Sequence, residues 1–233
     1  MLAPNPTQTR SFLTGVLNAL PMQIATVPFG VIFGALAIEA GLSLTETMAM
    51  TSIVVAGAAQ LVALQMLVDQ APVWLIVFTA AFVNLRMAIY SAAMAVYWRD
   101  AGTWPRVLAA WFLNDQSYAL SIRRYADVQE PEQNRVAFFF GVGVCCLTCW
   151  ILACLVGVAI GNRIPADWPV DFAVALVFVA LTAPWLRNWP NLIVAVTAGA
   201  VSVALADWAS GAGVVVAISL AIAVGMLIRG KET

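Results

Sequence analysis

Two charged side chains stand in the middle of long apolar stretches of this sequence. Arg86 is the one charged residue within residues 73–98, and Asp115 is the one charged residue within residues 107–122. If these stretches cross a bilayer, each charge costs several kcal/mol unless it is paired or hydrated. We therefore expect both side chains to face a protein interior or a water-filled cavity. They either form a structural ion pair between two helices or belong to a pathway for a polar ligand.

Neutral polar side chains lie at a similar depth and extend this candidate site. Asn84 and Arg86 are two residues apart, so a regular helix would point them about 200° apart. Both can face one cavity only if the helix is locally unwound or lies between two polar surfaces. The polar candidates for a binding site are Gln60, Asn84, Arg86, Asn114, Asp115 and Gln116.

The first apolar stretch is interrupted and rich in small residues. Pro21 and Pro28 remove backbone donors and are expected to kink or break the helix. Gly30 and Gly34 form a GxxxG pair, and Gly57 lies in a second run of small residues. Close helix packing is the main role expected for such glycines. The alternative is a broken helix whose backbone meets a ligand directly, as in discontinuous transporter helices.

The composition defines the class of protein that must position these groups. Of 233 residues, 63% are apolar and 10% are charged, the mean hydropathy is +0.92, and the net charge is −1. So few charges cannot cover the surface of a soluble domain, and no basic patch exists for nucleic acid. The four cysteines lie in one apolar run without metal-ligand partners. We predict an all-α integral membrane protein with no metal and no cofactor.

Nearly charge-free stretches predict about eight hydrophobic segments, some of them broken or re-entrant because they are short for a full span. The whole chain, 1–233, is interpreted as one polytopic membrane domain. A weak sequence similarity between its halves, 12–122 and 136–229, suggests an internal duplication. The predicted segments are 12–38, 47–68, 73–98, 107–122, 136–160, 172–186, 191–206 and 212–228.

Loop charges predict the orientation of these segments. With eight spans and both termini in the cytoplasm of a bacterial cell, seven basic residues lie inside and three outside, which agrees with the positive-inside rule. The loop at 99–106 argues against this arrangement and makes the fourth span the weakest. The inside group is Arg10, Arg123, Arg124, Arg135, Arg187, Arg229 and Lys231, and the outside group is Arg99, Arg106 and Arg163.

Several short motifs occur in order along the chain. They are Pro-Phe-Gly at 28–30, Phe-Gly-Ala-Leu-Ala at 33–37, Gly-Leu-Ser at 41–43, Ala-Gly-Ala-Ala-Gln at 56–60, Asn-Leu-Arg at 84–86, Asn-Asp-Gln-Ser-Tyr at 114–118 and the segment 165–172. Taken together, these motifs resemble the AzlC family, the large subunits of branched-chain amino acid exporters. The resemblance covers nearly the whole chain and is strongest in the first half.

This resemblance implies export of valine, leucine, isoleucine and possibly methionine across the cytoplasmic membrane. It also implies a small membrane partner of the AzlD type. A zwitterionic amino acid needs a cation for its carboxylate and acceptors for its ammonium, and Arg86 is the one cation at depth. A dry pocket for an aliphatic side chain could be lined by Phe29 and Phe33.

The energy source and the alternatives follow from what the sequence lacks. It has no Walker A pattern, so transport would be secondary. It has no histidine, so Asp115 is the main candidate for a proton carrier and Glu39 is the second. Asp115 either stays paired with Arg86 or is released when Arg86 binds the substrate carboxylate. An enzyme is not expected; a passive channel or a scaffold subunit without transport activity remains the alternative function.

Overall fold

The structure is helical, with no β-strand in the part of the chain that it describes. A computed structural model describes residues 6–99, 101–127, 131–161, 186, 188–205 and 212–229. A 3₁₀ turn over Leu20–Met22 joins the first two α-helices. The α-helices are α1 (Pro6–Ala19), α2 (Gln23–Glu39), α3 (Leu44–Ile53), α4 (Gly57–Val68), α5 (Val73–Val83), α6 (Leu85–Ala95), α7 (Thr103–Phe112), α8 (Asp115–Asp127), α9 (Glu132–Gly161), α10 (Trp189–Ala204) and α11 (Ala212–Arg229).

Among the described residues, three helical stretches are long and apolar enough to cross a bilayer. They are Thr7–Glu39, Val73–Ala95 and Glu132–Gly161. Shorter apolar helices are also present among the described residues. The prediction of an all-α membrane protein is therefore confirmed. The predicted segment 172–186 lies almost entirely outside the described residues, and so does the motif at 165–172. The predicted duplication of halves stays a prediction.

The chain divides into two compact units whose sequences are interleaved. The first unit contains residues 1–60 and 84–165, and the second contains residues 61–83 and 166–233. In the second unit, α10 and α11 pack against each other, and α11 also contacts α5. Every polar residue that the sequence singles out for the binding site lies in the first unit.

Two long helical segments run parallel through the first unit and form its wall. At one end, Gln8 Nε2 donates to Gln133 Oε1 over 3.0 Å. At the other end, Gly161 of α9 lies against Ala35 and Ile38 of α2. The α1–α2 segment and α9 therefore begin at the same end of the unit and finish at the same end.

Glycines let these two segments touch backbone to backbone at two points. A Cβ atom on any of four glycines would collide with the main chain of the opposite helix, and for Gly34 this confirms the predicted packing role. The colliding pairs are Gly15 with Phe138, Gly141 with Phe12, Gly34 with Cys154 and Gly157 with Val31.

Helices α7 and α8 form a re-entrant hairpin that enters and leaves at one end. Arg106 Nη2, in the first turns of α7, donates to the Trp98 carbonyl over 2.7 Å. Near the end of α8, the Tyr125 hydroxyl accepts from Trp98 Nε1 over 3.3 Å. Between these ends the chain reaches the middle of α9, where Phe112 packs against Gly143. The backbone reverses at Leu113, which is extended (φ −73°, ψ 118°).

This hairpin corrects the predicted placement of Arg99 and Arg106. The Tyr125 hydroxyl donates to the Arg135 carbonyl over 2.8 Å, so both ends of the hairpin lie where α9 begins. The fourth predicted segment therefore does not cross, and the loop at 99–106 lies at the same end as 123–135. The physical reason is the reversal at Leu113. One end of the unit thus gathers Arg10, Arg99, Arg106, Arg123, Arg124 and Arg135.

A second break, at residues 54–56, ends a helix that starts at the opposite end of the first unit. Helix α3 begins at Leu44 because Ser43 caps it. The Glu46 N–H donates to Ser43 Oγ, and the Ser43 hydroxyl and N–H both donate to the Glu46 carboxylate. These bonds lower the pKa of Glu46 from its ordinary value. Past the break, Gln60 Nε2 donates to the Met50 carbonyl over 3.0 Å. A continuous helix would separate those residues by about 15 Å, so the chain turns sharply at 54–56.

The glycine contacts predict that replacing glycine by alanine changes the melting temperature at one position and not at another. Gly34→Ala forces a methyl group into the carbonyl of Cys154 and should lower the melting temperature of the detergent-solubilised protein by several degrees, because backbone cannot move aside as a side chain can. Gly199→Ala in α10 is the matched control, since its methyl group meets nothing within 4 Å and alanine favours a helix. Equal melting temperatures for the two variants would contradict the backbone contact.

The re-entrant hairpin predicts which loops share a side of the membrane. Single cysteines at Gly102 and Gln133, in a background without native cysteines, should react with a membrane-impermeant maleimide from the same side. A cysteine at Thr45 should react from the opposite side. All three positions are exposed. Labelling of residues 102 and 133 from opposite sides would restore the eight-span arrangement.

Candidate functional site

The candidate site is built at the tip of the re-entrant hairpin, where α8 begins. Asn114 caps the helix, because its Oδ1 accepts from the N–H groups of Gln116 and Ser117 over 3.0 and 2.9 Å. This is the usual geometry of an asparagine N-cap. It makes Asp115 the first residue of α8, where the helix dipole favours a negative charge. The sequence motif at 114–118 is thus a helix start located at membrane depth.

Asp115 is paired with Arg86 across two helices. Arg86 Nη1 lies 3.3 Å from Asp115 Oδ2, and the Tyr90 hydroxyl donates to Asp115 Oδ1 over 3.0 Å. The Tyr90 ring stacks on Tyr118, with centroids 4.1 Å apart. The side chains of Arg86 and Asp115 keep 34% and 51% of their surface exposed. The ion pair is therefore partly exposed and accessible to a polar ligand in the described part of the chain.

The helix break at Asn84 comes two residues before Arg86, and both residues have a polar atom without a hydrogen-bond partner in the described part of the chain. Asn84 and Arg86 can face one cavity only if the helix is locally unwound or lies between two polar surfaces, and the structure interrupts the helix at Asn84, between α5 and α6. Asn84 Oδ1 and Arg86 Nε are buried, and within the described residues neither has a hydrogen-bond partner. An acceptor and a donor thus remain available next to the charged groups.

A second polar cluster lies on the other side of the α8 start. Gln116 Oε1 accepts from Gln23 Nε2 over 3.1 Å and from the Cys146 thiol over 2.9 Å. Gln116 Nε2 donates to the Thr26 hydroxyl. Gln23 also donates to the Ala19 carbonyl over 3.1 Å. This cluster, which we term the glutamine clamp (Gln23, Thr26, Gln116 and Cys146), joins α8 to α2 and α9.

Sequence reasoning missed three members of the glutamine clamp. Gln23 and Thr26 lie between Pro21 and Pro28 in a stretch that was interpreted only as a kinked helix. The sequence marks Cys146 only as one of four cysteines in an apolar run without metal-ligand partners. The available signal was Gln23 itself, an amide inside an apolar stretch next to a helix break, and it is only 5% exposed.

Other predicted site residues lie away from the ion pair. Gln60 is fully buried and binds the Met50 carbonyl. Phe29 and Phe33 pack on Trp150, with ring centroids 5.6 and 6.2 Å away. The predicted glycines serve helix contacts: Gly30 faces Ala153 and Trp150, Gly34 faces Cys154, and Gly57 faces Phe29 and Trp150. Glu39 is exposed at the end of α2.

The tip of the α7–α8 hairpin contacts the helix break at 54–56. Trp111, two residues before the reversal at Leu113, donates through Nε1 to the Ser52 carbonyl over 2.9 Å. Ser52 lies just before the break at 54–56. This hydrogen bond therefore joins the ends of α3 and α7, which start at opposite ends of the first unit.

The chemistry available is the recognition of a ligand that carries both charges. The guanidinium can bind a carboxylate, and the Asp115 carboxylate can bind an ammonium or a proton. No group of three or more cysteine, aspartate or glutamate residues that could hold a metal occurs in the described part of the chain. A helical membrane protein with an accessible ion pair at broken helices has the features of a transporter-type site.

The comparisons with known proteins assign the family. The model of the AzlC protein family matches residues 21–164, more than half of the chain, so the chain belongs to the AzlC family. The predicted resemblance is confirmed, and the matched region contains the ion pair and the glutamine clamp. Membership is consistent with a role related to transport.

Relatives at low identity agree with a membrane protein. An uncharacterized membrane protein of Helicobacter pylori (strain ATCC 700392 / 26695) is 25% identical over 79% of this chain and 85% of its own length. A second one, from strain J99, is 27% identical over 73% and 75%. The inner membrane protein YgaZ of Escherichia coli (strain K12) is 23% identical over 76% and 72%. No solved structure matches the chain.

Proposed function

We propose that this protein is a secondary transporter that exports branched-chain amino acids across the cytoplasmic membrane together with a small AzlD-like membrane subunit. The observation that carries the proposal is the accessible Arg86–Asp115 pair at interrupted helices inside apolar segments. An ion pair removed from water is often no more stabilising than apolar packing of similar volume, so stability alone gives little reason for these two charges.

The charges of the pair match the two ends of an amino acid. The substrate carboxylate would replace Asp115 on Arg86, and the substrate ammonium would bind the Asp115 carboxylate. The unpaired Asn84 Oδ1 would accept from the same ammonium. Because both protein charges stay neutralised while the substrate is bound, the exchange avoids leaving an isolated charge at membrane depth.

The substrate side chain would be selected chiefly by its desolvation. A charged or strongly polar side chain would lose its water at this depth without gaining a partner. One methylene is worth only about 1–3 kcal/mol in an apolar pocket, so discrimination among valine, leucine, isoleucine and methionine should be loose. Efficient transport of glutamate or lysine would contradict this.

Orientation and energy source complete the proposal. We place the arginine-rich end of the first unit in the cytoplasm, because basic residues near span ends favour that side. The opposite end carries Glu39 and Glu46. No Walker A pattern is present in the sequence, which favours coupling to protons or to the membrane potential over ATP hydrolysis.

Substitution of Arg86 should remove transport while folding is retained. In proteoliposomes containing the protein and its small partner, Arg86→Ala should lower leucine export at least about thirtyfold, the equivalent of losing one partner of a charge pair. Arg86→Lys should restore little, because the planar fork of the guanidinium is lost. Arg123→Ala is the matched control, since it removes the exposed Arg123–Asp127 pair and should leave export unchanged. Normal export by Arg86→Ala at equal protein level would refute the proposed substrate site.

Substitution of Asp115 tests the coupling. Asp115→Asn keeps the size of the side chain and can still bind a substrate ammonium through its oxygen, but it cannot release a proton. We expect leucine to exchange down its own gradient while uphill export driven by an imposed pH gradient is lost. If uphill export survives in Asp115→Asn, the coupling group lies elsewhere, and Glu39 is the next residue to substitute. Inertness of the wild type toward every amino acid, with its partner present, would favour a scaffold.

A further inference from the structure

The glutamine clamp shares one helical turn with the ion pair. Asp115 and Gln116 are consecutive residues of α8, and their side chains extend to different neighbours. Asp115 binds Arg86 and Tyr90 of α6, whereas Gln116 binds Gln23 and Thr26 of α2 and Cys146 of α9. The start of α8 is therefore held from two sides, and neither set of bonds can shift without the other.

Gln23 is placed to be the anchor of this arrangement. It is 5% exposed and is the first residue of α2, directly after the 3₁₀ turn that contains Pro21. Its Nε2 group donates to the Ala19 carbonyl, to Gln116 Oε1 and to the Cys146 sulfur, the last over 3.3 Å. Its Oε1 atom is buried and has no hydrogen-bond partner in the described part of the chain.

That unpaired oxygen argues against a purely structural role. A buried acceptor without a partner costs free energy, and an apolar side chain of similar size would avoid the cost. Leucine at position 23 would fill the same volume and lose only the hold on Gln116. The Gln23 amide thus lowers the free energy of unfolding, and it is useful only if the position of the first turn of α8 matters for function.

We propose that Gln23 is a positioning residue of the substrate site. Through Gln116, it fixes the depth and rotation of the first turn of α8, and thereby the distance at which Asp115 faces Arg86 and the substrate ammonium. The inference rests on the proposed function for its consequence in transport, but the clamp itself can be tested without transport.

The first measurement follows the clamp through Cys146, which is 4% exposed beneath the two glutamines. In a background with Cys145, Cys149 and Cys154 replaced by alanine, the rate of Cys146 alkylation by N-ethylmaleimide should rise about tenfold in Gln23→Leu and in Gln116→Leu, the loss expected for one hydrogen bond. The double variant should react much less than a hundredfold faster than the wild type, because each single variant already removes the shared Gln23–Gln116 bond and the two effects therefore do not add. Gln8→Leu, which removes a Gln–Gln bond at the end of the helices, is the matched control and should change nothing.

The second measurement separates positioning from stability. Gln23→Leu should keep the wild-type melting temperature, raise the KM for leucine export about tenfold and leave kcat within about twofold, because a misplaced Asp115 weakens binding. Unchanged alkylation in both glutamine variants would overturn the clamp. Faster alkylation with an unchanged KM would overturn the positioning role while the transporter stands. If the wild type exports no amino acid, the proposed function fails and the alkylation rates still decide whether Gln23 holds α8.

Discussion

Interrupted helices at membrane depth are the constraint on which the first unit depends. Backbone groups freed by a break cannot be left facing lipid, where no water can satisfy them. The breaks at 20–22, 54–56, Asn84 and Leu113 are therefore tolerable only against other protein. The parallel pair of α1–α2 and α9 supplies that protein wall, and its glycine crossings bring the two backbones into contact. Side chains satisfy what remains: Asn114 caps α8, and Trp111 and Gln60 donate to carbonyls near the break at 54–56.

Part of the site could be derived from residue type and depth alone. Arg86 and Asp115 were each the sole charge of an apolar stretch, and the cost of isolated charges in lipid predicts that each is paired or hydrated; the structure pairs them at 3.3 Å. A helix break near Asn84 was one of the two arrangements that helix geometry allowed, and α5 and α6 are separated there. The packing role of Gly34 followed from its spacing to Gly30. In each case a local property of the sequence leaves few stable arrangements.

The reversal at Leu113 and the sharp turn at 54–56 could not be derived in the same way. Hydropathy measures whether a segment is apolar, and an apolar segment that reverses at its middle has the same composition as one that crosses. Only the charge pattern argued against eight crossings, because they would place the basic loop at 99–106 outside, where basic residues are rare. The structure removes that conflict by turning the chain at Leu113. The glutamine clamp was missed for a related reason. Gln23 meets Gln116 only because the hairpin tip reaches α9, and hydropathy does not predict that contact.

The α7–α8 hairpin gives the first unit a property that a simple crossing would lack. A crossing helix is held at both membrane surfaces, whereas a hairpin tip is held only by its contacts within the protein. The tip makes apolar contacts, such as Phe112 against Gly143, and three polar ones: the Arg86–Asp115 pair, the glutamine clamp and the Trp111–Ser52 bond. One of the polar contacts, the ion pair, is the group that a zwitterion would compete for. On the proposed function, substrate binding would therefore act directly on a contact that holds the hairpin tip, because the recognition of the substrate and the positioning of the tip use the same carboxylate.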